Sequence, residues 1–144
     1  MSANYALLEK EALLHIQGPD SLTFLQGQTT CDTRKVNADH SLPGAYCTPQ
    51  GRMVCDFLLA QLADEHYAMR LRADTLDVTA NTFGKYIVFS KAELDASRTD
   101  WQVVACWGDS VVATFSELNI PTPSSRYQAV CGDGYALIQV DDSG

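Results

Sequence analysis

Residues 53–62, MVCDFLLAQL, set the tightest limit on how this chain can fold. Strand alternation puts Met53, Cys55, Phe57 and Leu59 on one face and Val54, Leu58, Ala60 and Leu62 on the other. A strand that is apolar on both faces reads as one buried on both. Asp56 breaks the pattern, because it shares the second face. An unpaired carboxylate there is costly, so it should be paired, shifted in pKa or turned to a cavity. Such residues are enriched at functional sites. The pattern alone leaves three outcomes open: a cavity, a bulge that points Asp56 at water, or a salt bridge to Arg52 or Arg70.

The neighbouring segments supply partners for this strand. Residues 12–17 (ALLHIQ) read as a strand. Gly18-Pro19-Asp20 opens a short helix: Pro suits the first turn and Asp the positive end. Leu22 and Leu25 give its inward side and Gly27 its stop. Residues 44–48 form a second strand, and Pro49-Gln50-Gly51 a tight turn. After a turn at Asp64-Glu65, Tyr67, Met69 and Leu71 alternate as a paired strand. Residues 74–86 read as a helix, with Leu76, Ala80, Phe83 and Ile87 at helical spacing. Residues 87–94 read as a returning strand.

Residues 97–100 (SRTD) are a polar break and the expected domain boundary. Beyond it come a strand over 101–107, a helix start at Gly108-Asp109-Ser110, and a helix over 111–118. A loop at 121–125 follows, then a hairpin of 126–131 with 135–140 around Gly132-Asp133-Gly134. Strand–helix–strand–strand is half of a ferredoxin-like unit. The expected fold is α+β with mixed, mostly antiparallel sheets. A first domain covers 1–97, and 98–144 begin a second, ferredoxin-like one.

The chemistry is sparse. The 144 residues carry a formal charge of −8, which argues against direct nucleic-acid binding by this segment. No apolar run is long enough to span a membrane. The start, MSANYALLEKEALLHI, lacks the features of a signal peptide, so the chain reads as cytoplasmic. Five cysteines form no CxxC pair, and Cys31, Cys47 and Cys55 fit no standard metal spacing. Cys31, near Arg34-Lys35, is the one thiol with a basic neighbourhood. His15, His40 and His66 show no ligand spacing. The QGQTT run offers amides and hydroxyls that could either meet the polar edge of a heterocycle or cap the next turn.

Four segments together resemble the YgfZ-type folate-binding proteins, relatives of the glycine-cleavage T-protein (aminomethyltransferase) superfamily. They are IQGPDS at 16–21, FLQGQTTCD at 24–32, the Gly51-Arg52-Met53 turn with its following strand, and GKYIVFSK at 84–91. The last is similar to the YgfZ branch and unlike the true aminomethyltransferases. The resemblance implies a ring of three domains with tetrahydrofolate in a central hole, of which this chain would hold a partial site. It implies a cytoplasmic accessory protein rather than an enzyme. Its partners would be folate and iron–sulfur enzymes or their assembly proteins, with a link to tRNA modification. The alternatives are a tetrahydrofolate-dependent aminomethyltransferase and an interaction domain without a ligand.

The chain departs from the family in two ways. The KGC-x-x-GQE motif with its reactive cysteine is absent, and Glu11 stands where the branch tends to place a tryptophan for folate. Asp56 lies where the aminomethyltransferases keep the carboxylate that faces the folate amine. The resemblance therefore implies a site in which Asp56, Leu58, Tyr46 and Gln28 border one cavity, with Gln26 and Thr29 near it. Asp56 would bond a pterin nitrogen and Leu58 would pack on the ring. The chain reads as the N-terminal portion of a longer protein, catalytically inert alone and weak at most for folate.

Overall fold

Period-two alternation over 42–72 produces the centre of the molecule. The computed structural model describes residues 3–48, 50–98, 100–132 and 134–140. Pro49 of the expected turn, Thr99 of the expected boundary and Asp133 of the expected hairpin tip lie outside the described residues. Strands β1 (Asn4–Leu7) and β2 (Glu11–Gln17) precede helix α1 (Ser21–Gln28). Strands β3 (Leu42–Cys47), β4 (Met53–Ala63) and β5 (His66–Arg72) follow, then helix α2 (Ala73–Tyr86) and strand β6 (Glu93–Asp95). The chain continues through β7 (Val104–Trp107), α3 (Val111–Glu117), β8 (Ala129–Gly132) and β9 (Tyr135–Ile138).

The main sheet has the order β3-β4-β5-β2-β6, and all its described pairings are antiparallel. The architecture is α+β with antiparallel sheets. Register puts Tyr46 opposite Cys55, Leu59 opposite Met69, and Met69 opposite Leu14. Directly opposed residues share a face, so these side chains, with Phe57, Leu71 and Ile16, build one apolar layer. Phe24 and Leu25 of α1 and Phe83 of α2 close over it. The Phe83 ring stacks on Tyr46 at 5.0 Å and meets Phe24 edge-on at 5.6 Å.

The other face of β4 is covered too. Leu58, Ala60 and Ala68 are buried there beneath the segment that carries β8. The Ala129 amide donates to the Asp39 carbonyl at 2.8 Å, and the Cys131 thiol donates to the Gln61 carbonyl at 3.1 Å. Burial on both sides, expected from the composition of β4, is thus what the fold delivers. The β7–α3–β8–β9 order follows the expected strand–helix–strand–strand pattern. β8 and β9 pair with each other, while β7 pairs with β1, an N-terminal strand that the sequence reading left without an element.

Two expectations are corrected. Gly27 does not stop α1, which runs on to Gln28 and is closed by Thr29. Residues 87–94 do not form a strand. Ile87–Phe89 is a 3-10 turn, and β6 covers only Glu93–Asp95. A short apolar run such as IVF has no period to choose between helix and strand, and here the tertiary structure chooses. The Lys91 amide donates to Asp20 Oδ2 at 2.8 Å, and the Asp20 amide donates to the Lys91 carbonyl at 3.2 Å. Gly18, at φ +127°, lets the turn before α1 touch the backbone of Lys91 and Ala92. This clasp holds the loop away from the sheet edge until β6 begins.

Candidate ligand cavity

β4 extends past the end of β5: their pairing starts at Leu58 opposite Arg70. Asp56, one residue pair earlier on the same face, is paired with Ala45 of β3. It therefore sits at the rim of the apolar floor that Leu58 makes. Leu58 is 6% exposed, whereas Asp56 is exposed. A cavity of about 400 Å³ opens here, lined by Asp56, Leu58, Pro43, Glu11, Arg70, Arg72, Tyr127 and Val140, with Phe57 and Leu71. The Asp56 side chain forms no hydrogen bond or ion pair among the described residues. The salt bridge to Arg52 or Arg70, left open by the sequence, is not made. Arg72 pairs with Asp74 at 3.1 Å, and the Arg70 Nε is buried with no acceptor.

The structure brings Asp56 and Leu58 together and sets the other expected site residues apart from them. Tyr46 is on the opposite face of the sheet, buried against Phe83, where burial pushes its phenol pKa up. Gln26 Oε1 accepts from the Thr33 amide at 2.7 Å and the Thr33 hydroxyl at 3.0 Å, tying α1 to the following 3-10 turn. The Thr29 hydroxyl donates to the Leu25 carbonyl at 2.8 Å and closes α1. Gln28 is the half-buried last residue of that helix. The QTT turn runs along the edge of β3, where the Thr30 amide donates to the Ala45 carbonyl.

Sequence reasoning passed over Arg70, Arg72 and Tyr127 as cavity residues. The signal for the arginines was there. In MRLR, the buried face of Met69 and Leu71 forces Arg70 and Arg72 to the face that pairs with Leu58. Tyr127 carried no such signal, because it arrives from a distant segment.

A second polar cluster lies across the same sheet face. His15 Nδ1 and His66 Nε2 are 2.9 Å apart, and Arg98 Nη1 reaches the same His66 nitrogen at 3.2 Å. Arg98 is in turn held by Asp100 at 2.6 Å and 2.9 Å, and the Trp101 ring lies 6.4 Å from His15. An arginine only donates, so His66 Nε2 must accept and its proton sits on Nδ1. Burial, followed by the nearby Arg98 and His66, lowers the His15 pKa to about 4. Burial and then Arg98 also lower that of His66. Among the described residues no group of three His, Cys, Asp or Glu side chains could hold a metal ion.

No protein-family model matches the chain. Similar sequences are a tRNA-modifying protein YgfZ from Vibrio vulnificus, 35% identical over 64% of this chain and 28% of that one, and a second from Serratia proteamaculans, 35% identical over 85% and 37%. A third, from Klebsiella pneumoniae, is 29% identical over 95% of this chain and 41% of its own length. The chain belongs to the YgfZ family. It spans 28–41% of the length of these relatives. The YgfZ assignment agrees with the backbone. The aminomethyltransferase T of the glycine cleavage system from Bartonella henselae superposes with a TM-score of 0.76, at 16% identity, over 89% of this chain and 35% of that one. This YgfZ chain therefore has the aminomethyltransferase fold. No described helix is long and apolar enough to cross a membrane.

Proposed function

We propose that this chain provides one wall of a tetrahydrofolate site in a cytoplasmic YgfZ-type accessory protein that supports iron–sulfur enzymes, with a link to tRNA modification. The observation that carries the reading is the pairing of an apolar floor with a carboxylate rim: Leu58 and Asp56, two residues apart on one face of β4, line a single cavity. Its volume of about 400 Å³ falls among small-molecule sites, which span about 300–1,000 Å³. Leu58 would take the flat face of a pterin and Asp56 would accept from its ring N–H. Glu11, at the position where the branch tends to place its folate tryptophan, lines the same cavity. Tyr46, Gln26 and Thr29 enter the proposal as supports of β3 and α1, and Gln28 as a contact at the helix end.

The relatives are more than twice as long as this chain, the proposal takes the far walls from the part that they have in addition, and affinity depends on preorganised contacts on all sides. Tetrahydrofolate should therefore bind residues 1–144 weakly, with a Kd above about 100 µM, or about −5.5 kcal/mol. Ligand-observed NMR measures this range. Asp56→Asn should weaken binding about fivefold or more. No signal with millimolar tetrahydrofolate, or an Asp56→Asn affinity within twofold of wild type, would overturn the reading. Low-micromolar binding would refute the partial wall. Asp56 also favours a second reading, an aminomethyltransferase. Robust transfer of an aminomethyl group from a lipoylated carrier to tetrahydrofolate, by the protein that contains this chain, would replace the accessory role with that enzyme.

A further inference from the structure

The connection from β6 to β7 rests on the main sheet through side chains. Among the described residues between Asp95 and Val103, no backbone-to-backbone hydrogen bond reaches that sheet. Asp95 Oδ1 accepts from the Ser97 amide at 2.9 Å and the Ser97 hydroxyl at 2.8 Å, which turns the chain off β6. Arg98 then reaches back, and its Nη1 meets His66 Nε2 at 3.2 Å. Its Nε and Nη2 are taken by Asp100 at 2.9 Å and 2.6 Å. Asp100 lies on the same connection, so that ion pair moves with Arg98 and anchors nothing. The Trp101 ring sits 6.4 Å from His15 and 6.5 Å from His66. Beyond it, the Val103 carbonyl accepts from the Leu8 amide, and β7 pairs with β1. Arg98 and Trp101 thus fasten the β1–β7 ribbon to β2 and β5.

The fastening depends on a bare nitrogen. An arginine offers only hydrogens, so its bond requires His66 Nε2 without a proton. His15 Nδ1 lies 2.9 Å from the same nitrogen. A proton on Nε2 makes it a donor, and the two neighbours then respond differently. A neutral His15 with its hydrogen on Nε2 presents a bare Nδ1, so the histidine pair stays bonded with its direction reversed. Arg98 has no such alternative, and it faces a second cation. We propose that this asymmetry is an acid-sensitive latch: protonation of His66 keeps the two histidines joined, releases Arg98 and Trp101, and frees the β1–β7 ribbon while the main sheet stays folded. The nearby carboxylates do not hold it shut. Asp95 stands opposite His15 on β6, and Glu93 opposite Gln17, the residue that pairs with His66. Asp64 and Glu65 precede His66 in the β4–β5 turn. Asp95 is engaged by Ser97 and Asp100 by Arg98. Burial and Arg98 outweigh the carboxylates at both rings, whose pKa values lie below the usual 6.5. A segment held by so few bonds opens at a lower cost than the sheet beneath it.

Fluorine NMR of the 144-residue chain labelled with 5-fluorotryptophan tests the latch. The chain has two tryptophans, and Trp107→Phe assigns their signals. Between pH 7.5 and pH 5 the Trp101 signal should move toward its position in the urea-unfolded chain, in step with the His66 ring protons. The ratio of open to closed should rise up to about tenfold per pH unit, as for one proton. The amides of Leu59, Met69 and Leu71 in the core should hold their positions. His66→Gln keeps an acceptor that does not titrate and should leave Trp101 packed at pH 5. A Trp101 signal that stays put while His66 takes its proton overturns the latch. So does one that moves only together with the core amides, which is unfolding of the whole. A His66 that stays neutral to pH 5 with Trp101 in place overturns it as well, as does a His66→Gln chain whose Trp101 moves like wild type. The wild-type spectra decide even if the variant fails to fold.

Discussion

Acidification from pH 7 to pH 4 should destabilise this chain through His15 and His66, before its ion-paired carboxylates begin to titrate. His15 is 1% exposed, and its Nδ1 lies 2.9 Å from a His66 nitrogen that also meets the Arg98 guanidinium at 3.2 Å. A second proton on either ring would place a cation beside the Arg98 guanidinium. The charged groups facing the pair are Arg98, Asp95 and Asp100, and the two carboxylates only partly offset the arginine. The His15 pKa therefore drops from 6.5 to about 4. A pKa lowered by folding means that the unfolded chain binds the proton first. Stability is thus full above pH 6.5 and is lost progressively as the pH falls toward 4.

At about 1.4 kcal/mol per pH unit, the His15 gap is worth about 3 kcal/mol, and His66 adds in the same direction. That is a large share of the stability of a small domain, about 5–15 kcal/mol. Urea unfolding at half-unit steps from pH 8 to pH 3.5 measures it. His15→Gln should flatten the slope between pH 6.5 and 4.5, and ring proton shifts should show His15 neutral at pH 5. A wild-type stability that stays level between pH 6.5 and 4.5 would refute the reasoning. So would a His15 that titrates near 6.5. Asp100, held down to about 2 by its bonds from Arg98, gives its stabilisation up only at pH values below this window, so the two effects separate.

Two further outcomes follow from local geometry. Gly18→Ala should cost about 2 kcal/mol or more, because φ is +127° and a Cβ would meet the backbone of Lys91 and Ala92. A urea midpoint shift gives the value, and an unchanged midpoint would show that the clasp is loose. Among the cysteines, the exposed Cys106 should react first with a thiol reagent at neutral pH. Cys55 and Cys131, whose pKa values burial pushes up, and the buried Cys31 should lag. Rapid labelling of Cys31, the thiol that the basic neighbours in sequence singled out, would mean that its pocket opens.

What could be read in advance divides by the range of the interaction. Alternation in 53–62 and 66–72 is a local signal, and it placed β4, β5 and the burial of both sheet faces. Helical spacing through Phe83 did the same for α2. The 87–94 stretch failed because its conformation is set by Asp20, which lies 71 residues from Lys91 in the chain. No window of sequence contains that bond. The candidate residues follow the same rule. That Asp56 and Leu58 share a face was legible because one strand carries both. Tyr46 was misplaced because grouping it with Asp56 requires the pairing register, which sets it opposite Cys55 and hence on the helix side.

The polar centres expose a further limit. His15 and His66 have no motif spacing, being 51 residues apart, yet antiparallel pairing of β2 and β5 makes them neighbours. The pairing of β4 with β5 likewise sets Arg70 beside Leu58. In each case a charged or titratable residue on an apolar strand marked the place, and the neighbouring strand supplied the partner. Asp56 was noticed because its strand is otherwise apolar. Arg70 was weighed only as a salt-bridge partner of Asp56, because placing it in a cavity requires the register of β4 and β5. On the face shared with Leu58, such an arginine is half-buried, and its Nε is fully buried.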